Sequence, residues 1–409
     1  MDYFLNATSC PVVWSPVDSG LHTIATSTDG EYVMKYKRPI IKKTQPVYRI
    51  TPSTFRIGAQ LGTTAEFTDR KGEMWNLIKN LDGRTVDEVV SSVRMSFPGL
   101  SRDDVLDGLR VLDKYGFLDD VTSEVGVPSR YLPNVRYFSA FPGTSTAEAI
   151  KMQEKLLSSK ILLLGLGGGG ANVATLLAGV GVGNLTILDS DVVEESNLGR
   201  QLLYREKDIG KHKAEVAASR LQELNSLTQI TSIVSRIDSF QDVREFISDN
   251  DLVICAMDEP PFMAQRRVNK AIVNENVPCV FGANQLTHGR VFTVVPGETG
   301  CFDCLNLYYS RNDPKFVKQF RGFQQSNYKP ETVAYVPTMW IITAAMADEA
   351  VRLITGYTEP KTLGLQYEIV YPDYTSFSHK AWLRYEDCPT CGNGDYGKWP
   401  IFQEYPGDL

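Results

Sequence analysis

No apolar run in this sequence approaches the 18 or so residues that a membrane span requires, and no basic segment followed by an apolar one opens it. These absences predict a cytoplasmic protein with neither a helical anchor nor a secretory signal. Positive charge is not in excess either: 42 Lys and Arg stand against 49 Asp and Glu, a formal charge of -7. That balance argues against nucleic acid as a general partner. Low-complexity tracts and clear repeats are also missing. Cysteine is sparse. Of seven cysteines, four fall in two C-x-x-C pairs, a usage that suits metal in a reducing compartment better than disulfides. What remains is ordinary globular material, 409 residues with 43% hydrophobic and 22% charged content, enough for two or three domains.

The chemistry concentrates between Ile161 and Lys213. An apolar run, Ile161 to Leu164, enters a glycine cluster. A helix-period segment follows, Ala171 to Val180, then a second apolar run, Leu185 to Leu188, ending at Asp189. This order predicts strand, turn, helix and strand, the opening of a doubly wound nucleotide-binding fold. Gly165, Gly167, Gly168 and Gly170 let backbone approach a phosphate whose charge a helix N-terminus favours. Asp189 falls where a carboxylate would hold a ribose hydroxyl. A glycine-rich turn alone is a weak signal. Asn197, Arg200 and Gln201 in SNLGRQ, and Lys213 in DIGKHK, sharpen it. An enzyme that breaks a triphosphate needs such cations, because pyrophosphate departs with negative charge.

From about Gln153 to Trp399 the chain resembles the adenylate-forming superfamily of ThiF, MoeB and the ubiquitin-activating enzymes. The motifs that carry the resemblance are the G-x-G-G-x-G loop, the acidic strand end, S-N-x-x-R-Q, the lysine, a strand ending near Asp258, and the paired cysteines. One departure is Gly169, where a larger apolar residue is usual. The resemblance implies a Rossmann-like fold, ATP as nucleotide, and a homodimer whose partner lends an arginine, for which Arg136 is the candidate. It gives Asp258 a role in holding Mg2+ and orienting phosphates, fitting for a hard cation. A helix-capping role for the same side chain is compatible with that. Arg200 and Lys213 would neutralise phosphates, and Asn197 and Gln201 orient them.

Cys301 and Cys304, with Cys388 and Cys391, each place two thiolates on a tight turn. Together the turns complete a tetrahedral structural zinc site. With 83 residues between the pairs, the site is a clamp rather than a finger. A redox role would need one pair to work alone in a thioredoxin-like unit, which the pattern does not offer. Cys10, Cys255 and Cys279 read as buried or incidental. Residues 305 to 387 contain no cysteine, so the thioester relay of ubiquitin-activating enzymes is not expected. No ubiquitin-fold or rhodanese-like extension is expected either.

Before this region, EYVMKYKRPII (31 to 41) and STFRIGAQL (53 to 61) read as strands of a hairpin or wing. Three helix patterns follow, around Gly72 to Leu81, Val86 to Ser96 and Ser101 to Tyr115, with Thr85 and Ser101 as N-caps. This part is similar to the PqqD-like winged-helix domain of enzymes that modify ribosomally made peptides. An extended peptide could add to its strand edge; an accessory or dimerisation winged helix is the plainer alternative. VPSRYLPNVRYFSAFPG (127 to 143) reads as an extended connector. The expected division is therefore 1–126 winged helix, 127–152 connector, 153–409 adenylation domain. The loop 310 to 332, with Arg311, Lys315, Lys318 and Arg321, reads as a substrate lid or a solvated mobile loop.

The combination resembles the maturation enzymes of microcin C and pantocin A. It implies ATP-dependent activation of a carboxyl or amide of a ribosomal precursor peptide, with pyrophosphate released. Two alternatives stay open: adenylation of a ubiquitin-like sulfur carrier, and a non-catalytic peptide-delivery partner of a cyclodehydratase.

Overall fold

The computed structural model describes residues 12–13, 35–59, 64–121, 126–141, 143–313, 315–319, 322 and 333–398. It divides into two compact units, Met1–Gln153 and Glu154–Leu409. Cys10 and Arg321, and most of the expected lid, lie outside the described residues.

The first unit is a small sheet backed by three helices. Its strands are β1 (Val12–Val13), β2 (Pro39–Ile41), β3 (Val47–Thr51), β4 (Thr54–Ile57) and β5 (Ala65–Thr68). They are followed by helices α1 (Glu73–Lys79), α2 (Val86–Ser96) and α3 (Arg102–Lys114), and by strand β6 (Leu118–Asp120). Strand order is β1-β5-β4-β3, leaving β3 on an edge among the described residues, while β2 pairs with β6. The hairpin is therefore β3–β4, turned at Pro52 and Ser53. Residues 39–41 pair with β6 instead of with the second expected strand, which corrects the hairpin read from sequence. Phe55 and Phe67 stack at 5.0 Å over Leu77, Val93, Leu109 and Leu112, all buried. Both expected N-caps are in place: Thr85 with Glu88, and Ser101 with Asp104, close reciprocal capping boxes.

The segment expected as an extended connector is instead helical. A 3-10 turn, Ser129–Tyr131, runs into α4 (Leu132–Ser139), with Pro133 in its first turn. Tyr131, Val135 and Phe138 are buried. Their spacing is one helix face, and proline is tolerated where the helix starts.

Helix α5 (Thr146–Ser158) leads into the second unit, an eight-stranded sheet of order β14-β13-β12-β11-β10-β7-β8-β9. Here β7 is Lys160–Leu164, β8 Asn184–Leu188, β9 Gln229–Ile233, β10 Leu252–Cys255, β11 Cys279–Asn284, β12 His288–Val294, β13 Gln366–Val370 and β14 Thr375–Ser378. Strands β7 to β11 run parallel; β12, β13 and β14 continue antiparallel. Strand β10 is apolar and buried throughout, and so is β7 from Ile161 to Leu164, after the exposed Lys160, as parallel strands covered on both faces must be. Helix α6 (Gly168–Val180) follows β7, and α7 (Lys213–Leu224) precedes β9. The helices α8 (Phe240–Ile247), α9 (Met263–Glu275) and α10 (Phe302–Asn312) come between later strands, and the long helix Val336–Thr355 packs against α6. The chain steps from β7 outward through β8 and β9, then returns to place β10 on the other side of β7. That reversal opens a crevice at the carboxyl ends of β7 and β10.

Candidate active site

The crevice is a cleft of about 340 Å³, lined by Gly165, Gly167, Asp189, Ser190, Asp191, Ser235, Arg236, Met257, Asp258 and Glu259 among others. Every one of its polar groups comes from a loop leaving a strand's carboxyl end, where side chains and amides are free of the sheet ladder.

The glycine loop has two kinds of glycine. Gly165 is left-handed, at φ 88°, which favours glycine. A Cβ on Gly170 would fall 1.8 Å from the Gly165 carbonyl oxygen, so Gly170 lets α6 close onto β7. A Cβ on Gly168 would meet the Met339 methyl at 2.2 Å. Gly167 differs: a Cβ there would meet nothing within 4 Å. It is the N-cap of α6, with no side chain capping the helix. The first turn of a thirteen-residue helix thus meets the cleft bare, as an anion site should. Helix α6 begins at Gly168 rather than Ala171, so the loop's amides belong to its first turn.

Asp189 is buried and works at two points. Its Oδ2 accepts from the Leu166 amide at 2.6 Å and its Oδ1 from the Asp191 amide at 2.7 Å. Burial pushes its carboxyl up, while those two amides and nearby Lys213 pull it down. The carboxylate therefore fastens the glycine loop to the next turn while lining the cleft.

Lys213 begins α7, is buried, and extends Nζ to within 2.9 Å of Asp191 Oδ2. Asp191 and Arg236 were not singled out from the sequence. Both follow strand ends, and the rule that ligands sit at carboxyl edges is the signal that finds them. Arg236 pairs with Asp238 at 2.8 Å.

Asp258 stands exposed on the cleft wall after β10. Enough protein surrounds it to raise its carboxyl pKa, which Arg200 opposes. Arg200 in turn donates to the Ser196 carbonyl at 2.6 Å. Asn197 and Gln201 are buried. Asn197 Oδ1 accepts from the Glu194 amide at 3.0 Å, closing the short turn Glu195–Asn197. Gln201 Oε1 has no hydrogen-bond partner among the described residues. Asn197, Arg200, Gln201 and Lys213 do not line the cleft directly. Arg136 lies exposed on α4 of the first unit, where it lines a cavity with Lys42, Asp119 and Thr146.

The four expected cysteines converge. Cys301 Sγ is 3.9 Å from Cys304 Sγ and 3.6 Å from Cys388 Sγ, and Cys304 Sγ is 3.4 Å from Cys391 Sγ. A tetrahedron of thiolates about 2.3 Å from a zinc ion has edges near 3.8 Å, so the set fits that metal. Beside it, Arg266 and Asp303 form a fully buried ion pair at 2.9 Å, and Thr390 donates to the same Asp303 at 2.6 Å. The pair joins α9, α10 and the second cysteine turn. Arg311, from the expected lid, bonds Asp387 at 3.0 Å and covers the Tyr385 ring.

A mononucleotide site at a strand-order reversal, with an uncapped helix and cationic groups beside it, is the architecture of an α/β nucleotide-binding enzyme. Comparison narrows it. The ThiF family profile matches residues 136–390, well over half the chain, and the chain belongs to that family. It is 30% identical to the Bacillus subtilis sulfur carrier protein ThiS adenylyltransferase, over 60% of this chain and 68% of that protein. It is 32% identical to the SAMP-activating enzyme E1 of Haloferax volcanii (59% and 83%) and 31% to the Escherichia coli molybdopterin-synthase adenylyltransferase (59% and 90%). Among solved structures, E. coli MccB superposes with a TM-score of 0.70 at 25% identity, covering 87% of this chain and 97% of that one. The structure titled PaaA gives 0.62 at 21%, covering 83% and 99%. The protein is an ATP-using adenylyltransferase of the ThiF type. No helix of the described residues is long and apolar enough to cross a membrane.

Proposed function

We propose that this enzyme adenylates a carboxyl or amide of a ribosomally made precursor peptide, gripped by its winged-helix unit. The observation that carries this reading is the extent of the likeness to MccB. It takes in 87% of this chain, far more than the 60% shared with the ThiS enzyme. MccB has been solved with ATP and with the peptide MccA, and one structure names it a microcin C7 biosynthetic enzyme. Strand β3, an edge strand among the described residues, with Tyr48 and Ile50 exposed, suits the addition of an extended peptide through backbone hydrogen bonds. We assign the division read from sequence: residues 1–126 to peptide recognition, 127–152 to the connection and 153–409 to adenylation.

In this reading a peptide oxygen attacks the α-phosphorus of ATP. A phosphorus–oxygen bond forms, the bond to the β-phosphate bridge breaks, and pyrophosphate leaves. The bare turn of α6 and the amides from Gly165 to Gly170 cradle phosphate oxygens. Arg200 and Lys213 offset the charge that pyrophosphate carries away, and Asn197 and Gln201 shape the loop that presents Arg200. Asp189 meets the ribose. Asp258, an exposed carboxylate beside the phosphate position, suits Mg2+, which when bound screens phosphate charge. Cys301, Cys304, Cys388 and Cys391 hold structural zinc. In a homodimer, Arg136 is the residue we assign to the partner's site.

The sulfur-carrier reading is favoured by the names of the curated relatives. One experiment separates the two. Purified protein with Mg-ATP receives either short peptides encoded beside its gene or a ubiquitin-like carrier ending in glycine. Pyrophosphate released together with a nucleotide-bearing or dehydrated peptide supports the proposal. Turnover with the carrier alone replaces it with the second reading.

A further inference from the structure

We infer that Arg290 reads a carboxylate of the peptide substrate; this rests on the peptide reading above. The residue stands on β12 opposite Ala283 of β11 and Glu368 of β13. On β11, Phe281 pairs with Cys255, the last residue of β10, and Ala283 is two residues further on. Arg290 therefore sits at the carboxyl end of the parallel strands, the end that carries Asp258. It is two strands across from β10, roughly 10 Å at normal strand spacing.

Its surroundings leave its hydrogen-bonding capacity unmatched. Arg290 shares a sheet face with Phe292, two residues along, and its charge acts on Tyr309 of α10. Glu368, opposite it on β13, acts on its charge without bonding to it, because its carboxylate is shared with other groups. Glu368 Oε1 accepts from Gln366 Nε2 and lies 3.0 Å from His379 Nε2. Among the described residues Arg290 forms no ion pair and no hydrogen bond, and its Nε is buried without a partner. Gln366 Oε1, next to this group, is also buried and unpartnered. Burial pulls the Arg290 guanidinium down from the ordinary arginine range. A half-buried guanidinium costs desolvation unless something accepts its hydrogens. Its planar fork is shaped for a carboxylate. An extended chain advances about 3.3 Å per residue, so a carboxylate at Arg290 lies about three residues from the group activated at the cleft. A side chain that merely packs would need no such acid.

The test is selection of a displayed random heptapeptide library on the full-length, zinc-loaded protein with a non-hydrolysable ATP analogue. Wild type is expected to enrich Asp or Glu at one position, and Arg290→Gln to lose that preference while still binding the analogue. A selected peptide carrying Asp→Asn at that position should bind wild type about tenfold more weakly or worse, a comparison that requires no variant to fold. Peptides enriched without an acidic preference, or with one unchanged in Arg290→Gln, overturn the role of Arg290 and leave the peptide reading standing. Recovery of no peptide by wild type sinks both.

Discussion

Lys213 Nζ lies 2.9 Å from Asp191 Oδ2, and the Asp191 amide in turn donates to Asp189 Oδ1 at 2.7 Å. The cation expected to meet phosphate is held by an acid that lines the cleft. That acid is held by the carboxylate that also fastens the glycine loop.

Lys213→Ala should lower ATP–pyrophosphate exchange by about 10²–10³-fold, the range seen when a transition-state charge partner is removed. Asp191→Ala leaves the lysine in place but unaimed, and about a tenfold loss is expected. Exchange rates of both variants, set against their melting temperatures, check this. Equal losses would show that Asp191 matters for more than aiming the lysine.

Gly167→Ala and Gly170→Ala should part company. The Gly170 Cβ would overlap the Gly165 carbonyl, so α6 must pull away from β7. A loss of about 3 kcal/mol or more is expected, as for other overpacked sites. At Gly167 a methyl fits the protein but enters the cleft. That variant should melt like wild type and bind ATP weakly. Thermal unfolding and nucleotide titration separate them.

Acidification should act through Asp258. Its raised pKa means a proton competes for the carboxylate above the usual Asp range. Activity with Mg-ATP should therefore fall on acidification with a midpoint above that of a free Asp. Arg200 opposes the shift, so Arg200→Ala should move that limb to higher pH. The stability sign is opposite. A carboxyl whose folded pKa is raised favours the fold fully below its unfolded value, near 3.9. That contribution is lost as pH rises through the folded value. Asp258→Asn should raise the melting temperature of nucleotide-free protein at neutral pH and not at pH ~3.

Zinc analysis should find one ion per chain. Cys301→Ser or Cys388→Ser should abolish it and lower the melting temperature by about 10 °C, as loss of several kcal/mol does in a domain of this size. Full metal content in both variants would refute the four-cysteine site.

The sequence showed the parts whose signals are local. The run from Ile161 to Asp189 is legible because its apolar and glycine spacings are those of the structure formed, and Thr85 and Ser101 cap as their neighbours require. The convergence of four cysteines was readable because two C-x-x-C turns together supply the four thiolates of a tetrahedral site. Helix α4 was hidden by Pro133 and by aromatic residues that resemble a linker; only the buried spacing of Tyr131, Val135 and Phe138 shows it. Asp191 looked like one more solvated acid, since its partner Lys213 is 22 positions away. The antiparallel extension was silent because β14 is exposed along its whole length and carries no alternation. No element was read at Val336–Thr355, whose contact with Gly168 is set by tertiary packing.

The cysteine turns also change the polymer physics of the chain. Cys301 and Cys388 are 87 positions apart, so an ion held between them would close a loop containing α10, the long helix, β13 and β14. Closing so long a loop removes roughly 4–5 kcal/mol of freedom from the unfolded chain, on the cross-link estimate. It also fixes both ends of everything between.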